Sequence, residues 1–191
     1  MQGLFEVALI AGVGVGVILI VGAKPIIDVV GGHKYAGATG PLRIEGAAVL
    51  GTCLTPVWST GLLALHRHSA QLVCNLISLA VVAGVTLGLA PVIGARGAAV
   101  ATVVGEWTVA VSLLLALRLT NRRLMPKTLA VAPRVAIAGA SAVAVMLLPI
   151  PAIAQLALAI LVYTVVVVAL NALPVELLEL APGLSARFRR A

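Results

Sequence analysis

Apolar stretches of about the length of a helical membrane span, ~20 residues, recur along the whole chain between short polar connections. The pattern predicts six helices. The first runs over 4–22, with room to continue past Pro25 to Val30. The second covers 41–65, the third 72–90 and the fourth 97–117. The fifth covers 133–148 and is the shortest. The sixth covers 154–173. Between them lie "GGHKYAGATG", "HRHSAQ", "PVIGARG", "RLTNRRLMPK" and "PIPAI". Pro91 and Gly94 read as the breakers of the third connection. Nearly every helical segment is apolar all round, which a soluble core cannot accommodate.

Composition agrees. The chain is 62% hydrophobic and 10% charged, against about 45–50% and 25% in soluble domains. The fold class is therefore all-α, a polytopic helical membrane bundle. Residues 1–173 form the bundle, and 174–191 form a basic cytoplasmic tail. The N-terminus "MQGLFEV" lacks a basic n-region and carries only Glu6, so the first apolar run is expected to be a retained span.

Charge predicts orientation. One set of connections and the tail hold Arg67, Arg118, Arg122, Arg123, Lys127, Arg134, Arg187, Arg189 and Arg190. The other side holds Lys24, Lys34, Arg43 and Arg96. Cytoplasmic connections collect Lys and Arg, so both termini are expected in the cytoplasm. The net charge of +7 then needs no nucleic acid, and no aromatic residues interleave the basic ones to stack bases. Cys53 and Cys74 fall inside helices and read as small buried apolar side chains.

Gly12 and Gly16 in the first helix are four apart, as are Gly97, Ala101 and Gly105 in the fourth. Such faces let helix backbones approach closely in lipid, where no hydrophobic drive pairs helices. Glu106 follows at once. It lies about nine residues past Gly97, roughly 14 Å along the axis, near the midplane of a ~30 Å core. A carboxylate there costs on the order of 2.5–3.5 kcal/mol. It must face a partner or a wet cavity, or carry a proton. Thr102, one turn earlier, is a candidate neighbour. Glu106 thus reads either as a proton, cation or cavity-lining group, or as a structural hydrogen bond between helices.

Arg43 and Glu45 form a second polar point at the start of helix two. They flank Ile44 and do not share a face; interfacial snorkelling is the alternative to a binding role. Trp58 and Trp107 each bring a donor that must be satisfied. Asn75 is a candidate cap or inter-helix link. His66 to His68 form a histidine pair with no local carboxylate or cysteine, so a solvated loop is expected rather than a metal site. The sequence has no Walker loop, no HExxH and no GxSxG elbow. No enzyme and no cofactor are expected; a chain with so few polar groups in its helices moves or supports something.

Two stretches carry a resemblance: "KPIIDVVGGHKYAGA", and the long segment from "LLALHRHSAQLVCN" through "GARGAAVATVVGEWTVA". In the second, a helix ends in a small basic loop. The next helix contains Asn and ends in an apolar-Pro segment. A "GAA-x-AT" element then opens a further helix. Together they resemble the oligosaccharide flippases of the multidrug/oligosaccharidyl-lipid/polysaccharide (MOP) superfamily, over about residues 1 to 118. Helices five and six match only in being apolar, and related drug exporters and lipid II flippases carry similar glycine-alanine helix starts.

The resemblance implies a half-transporter, the last six or so of about twelve to fourteen helices in two pseudo-symmetric lobes. Such proteins move undecaprenyl-pyrophosphate-linked sugars between leaflets by alternating access, often coupled to an ion gradient. It implies a fragment not competent alone, with a missing N-terminal lobe or a partner membrane subunit. Cations in the family's central cavity receive the pyrophosphate, and Arg43 is the nearest candidate here. Glu45 and Glu106 complete the substrate-binding candidates. The resemblance places Glu106 on a helix peripheral to the cavity, which favours its structural role. Alternatives are a drug exporter of the same superfamily, and a small non-transporting membrane subunit pairing through its glycine faces. A membrane acyl- or glycosyltransferase would need clustered Asp or His.

Overall fold

The computed structural model describes residues 1–124, 126, 131–145 and 151–170. Among them every regular element is helical. The long helices are α1 (Gln2–Val30), α2 (Thr39–Ala64), α3 (His68–Ile93) and α4 (Ala95–Thr120); the shorter ones are α5 (Val131–Val145) and α6 (Ala152–Ala169). Short 3-10 turns cover His33–Ala38 and Arg122–Leu124. Among the described residues there are six α-helices, as expected. Four helices, α1 to α4, are long and apolar enough to cross a membrane. The described part of α5 is 15 residues, about 22 Å. The predicted ends of helices five and six, and the tail at 174–191, lie outside the described residues.

The helix ends follow local chemistry. Gln2 Nε2 donates to Glu6 Oε1 at 2.7 Å, pairing the two polar side chains of the first turns. α1 continues through Pro25, whose ring removes the donor that the Val21 carbonyl would receive. Lys24 and Asp28 are exposed there. Gly32, at φ +68°, then turns the chain.

Two predicted connections are shorter than expected. "HRHSAQ" is not a six-residue turn, because α3 already begins at His68. The reversal is made around His66, at φ +53°, with the Arg67 N–H on the Leu62 carbonyl at 3.0 Å. Gln71 Nε2 then donates to Ser59 Oγ at 2.6 Å and ties the first turn of α3 to α2. Pro91 is not a breaker either, since α3 runs through it to Ile93. Within a turn of the helix end, the carbonyl it frees lies near the terminal carbonyls that lack partners anyway. Gly94 alone reverses the chain, at φ +59°, and Arg96 belongs to the first turn of α4.

The helices form a row. α4 lies between α3 and α2, α2 packs on α1, and α1 carries α5 and α6. α2 and α4 run parallel: Gly40 meets Arg96 at one end, while Gly61 meets Met1 and Leu117 at the other. One core joins Phe5, Trp58, Leu62, Leu113 and Leu117, with the Phe5 and Trp58 rings 5.6 Å apart. A second joins α5 and α6 to α1, where Tyr163 donates to the Ile10 carbonyl at 2.6 Å. Gly14 makes room for that tyrosine; a methyl group there would stand 2.6 Å from the ring. At the edge, α3 buries only Cys74.

The small residues sit at the seams. A methyl group on Gly12 would stand 3.1 Å from Leu50 Cα, and one on Gly16 2.9 Å from the Gly46 carbonyl oxygen. Gly97 backs onto the Leu89 carbonyl of α3 at 2.6 Å by the same measure, and Gly105 onto Val82. Ala101, between them, is fully buried.

Candidate functional site

Glu106 sits near the middle of α4, half-buried, on the seam with α2. The seam closes there because α2 offers Gly51, whose missing side chain would stand 3.2 Å from the Glu106 carbonyl carbon and 3.4 Å from its Cβ. Trp107 donates from Nε1 to the Ala47 carbonyl at 3.0 Å. Ala47 and Gly51 are one turn apart on α2, and both are small, so the indole reaches the backbone. The donor that Trp107 had to satisfy is satisfied across the seam.

The anticipated neighbour of Glu106 does not serve it. Thr102 Oγ1 donates to its own helix, at the Ala98 carbonyl, 3.2 Å away. On the far side of α4, Ser78 of α3 donates to the Gly105 carbonyl at 2.8 Å. The inter-helix hydrogen bonds near Glu106 thus run through its neighbours' groups. Among the described residues, none reaches its carboxylate. α4 itself packs between α3 and α2.

Arg43 is exposed and Glu45 half-buried in the first two turns of α2. Arg43 precedes Gly51 by eight residues, about 12 Å along the axis. The fold therefore places Arg43 near one end of the α2–α4 seam and Glu106 near its middle. Arg96 shares the Arg43 end, its Nε 2.9 Å from where Gly40 would carry a Cβ.

The remaining candidates stay apart from the seam. Asn75 is exposed on α3 and links no helices among the described residues. His66 and His68 approach edge to face at 6.3 Å between centroids, both exposed. No group of three or more His, Cys, Asp or Glu able to hold a metal occurs among the described residues. Cys53 and Cys74 are free thiols.

Gly51, Gly46, Ser78 and Tyr163 are seam residues that sequence reasoning passed over. The small pair Ala47 and Gly51 carried the usable signal, a four-residue spacing in helix two like those in helices one and four.

Glu106→Gln is expected to leave stability unchanged, since among the described residues no hydrogen bond reaches the carboxylate. Thermal unfolding in detergent checks this. A loss above about 1 kcal/mol would reveal a hydrogen-bond partner.

No protein-family model, no curated protein and no solved structure matches the chain.

Proposed function

We propose that the protein is the C-terminal lobe region of a lipid-linked oligosaccharide flippase in the inner membrane, with both termini cytoplasmic. In this reading it rocks against an N-terminal lobe by alternating access and catalyses no reaction. The observation that supports it is the hairpin built by "GARGAAVAT", one of the elements that carry the resemblance. Gly94 supplies the positive φ, and Gly97 lets α4 return against the Leu89 carbonyl. Each glycine thus has a backbone reason at its own place. Arg43, exposed at the end of α2, would receive the pyrophosphate. Glu45 and Glu106 would supply further polar groups along the path.

The test is binding of an undecaprenyl-pyrophosphate oligosaccharide to the protein in nanodiscs, read by native mass spectrometry. Arg43→Ala is expected to weaken it by about tenfold, or ~1.4 kcal/mol, with unchanged melting. Binding undiminished in Arg43→Ala would overturn the assignment of the pyrophosphate to Arg43.

One observation favours a second reading, a non-transporting subunit. Gly84 and Gly88, four apart on α3, are exposed, with nothing within 4 Å of a side chain built there. A partner helix could seat on that face. Gly84→Cys would then crosslink to a partner in intact membranes, and the lipid-linked oligosaccharide would not bind.

A further inference from the structure

At the end of the bundle where α4 begins, an open recess of ≈ 570 Å³ is lined by Gly37, Pro41, Ile93, Ala95 and Arg96. It lies between a 3-10 turn, the start of α2, the end of α3 and the first turn of α4. Arg96 is its charged side chain. The guanidinium lies across α2, with Nε 2.9 Å and a terminal nitrogen 3.4 Å from the position of a Gly40 Cβ. Glycine at that position is what lets it lie there. Among the described residues no carboxylate pairs with it. Lys34 and Arg43, both exposed, add positive charge at the same end.

A second feature lies below on α4. Val103, Val104, Trp107, Thr108, Val111 and Leu115 line most of an open apolar groove of ≈ 560 Å³. Val103 and Trp107 follow Arg96 by seven and eleven residues, close to two and three whole turns, so all three lie on one side of the helix. The groove begins about 10 Å below Arg96. Its hydroxyls are occupied: Thr108 donates to the Val104 carbonyl at 2.6 Å and Ser112 to the Val109 carbonyl at 3.0 Å. It therefore offers contact to hydrocarbon rather than to a polar ligand.

We propose that this face of α4 is a phospholipid site, with Arg96 taking the phosphate of an anionic headgroup and the groove taking one acyl chain. A guanidinium forms strong charge-assisted hydrogen bonds to a phosphate, and a zwitterionic headgroup would set its own cation beside Arg96. The spacing of recess and groove along α4 matches one molecule with a charged head and an apolar chain. The site is independent of any flippase activity and of the oligosaccharide contact assigned to Arg43.

Trp107 provides the readout, because it is 37% exposed while Trp58 is 4% exposed. The protein is placed in phosphatidylcholine nanodiscs. Phosphatidylglycerol or phosphatidylcholine brominated near the chain ends is added, and the signal of Trp107→Phe is subtracted. Half-maximal quenching is expected at a roughly fivefold lower fraction of the phosphatidylglycerol. Arg96→Gln is expected to abolish that preference and Arg96→Lys to keep most of it, which separates loss of charge from loss of fold. Equal quenching by the two lipids in the unsubstituted protein would overturn the proposal. So would a preference undiminished in Arg96→Gln, which would assign the effect to diffuse charge. Displacement by millimolar inorganic phosphate would likewise overturn it, making the recess a free-anion site.

Discussion

Gly46→Leu is expected to force α1 and α2 apart and to cost on the order of 3 kcal/mol, near the top of the usual range for overpacking. A Cβ at Gly46 would stand 2.7 Å from Ile20 Cγ1, and 3.0 Å from both the Gly16 carbonyl oxygen and the Ile20 backbone nitrogen. A flexible side-chain tip can swing aside. Two backbone atoms of the facing helix cannot, unless the whole helix moves. In lipid, moving it forfeits the close packing that holds helices together. A Cβ at Gly84 meets nothing within 4 Å, so leucine there points into open space and is expected to be neutral, which controls for leucine itself. Thermal unfolding of both variants in one detergent decides the matter. Equal melting would show that the Gly16–Gly46 approach contributes nothing measurable.

The contrast between Gly46 and Gly84 also marks what could be read from the chain. Both are glycines in apolar helices, and the sequence points the wrong way: Gly84 has Gly88 one turn on, the spacing of a packing face, while Gly46 has leucines one turn to either side. Gly12 and Gly16 were legible as a face because they repeat at one helical turn. Their partners, Leu50, Cys53 and Gly46, lie on a separate helix, and a period within one helix carries no information about the next. The helices themselves were legible because uninterrupted apolar stretches leave a membrane chain little alternative to helix. Their ends were less so. Pro91 and the polar run from His68 to Gln71 look like breakers, yet both are helical. A proline near a helix end gives up little, and polar side chains suit a first turn near water. Glu106 shows the same division. Its place near the middle of α4 followed from counting along one helix; its contact with Gly51 and the diversion of Thr102 to its own backbone needed the fold.

The edge position of α3 sets up the other large effect. Its main attachment is to α4, and Cys74 is its one buried residue. Two features hold it near the middle of α4. Gly105 lets Val82 approach the helix backbone, and Ser78 donates to the Gly105 carbonyl at 2.8 Å. Gly105→Leu would place a branched side chain where Val82 now sits and lift Ser78 off its acceptor in the same step. The expected cost is about 2–3 kcal/mol for the packing, with a further ~0.6 kcal/mol for the hydrogen bond, the average for such bonds between membrane helices. Ser78→Ala isolates the second part and is expected to be mild. The loss should fall on α3 alone, because the α1–α2 and α1–α5–α6 seams do not involve Gly105. Hydrogen exchange is therefore a sharper readout than melting. In Gly105→Leu, amides from Leu72 to Ala90 are expected to exchange faster while those of α1 and α2 keep their protection. Uniform protection across all four long helices would mean that α3 is held by something other than this seam. Uniform loss would mean that the row of helices unfolds as one unit, with its edge no weaker than its centre.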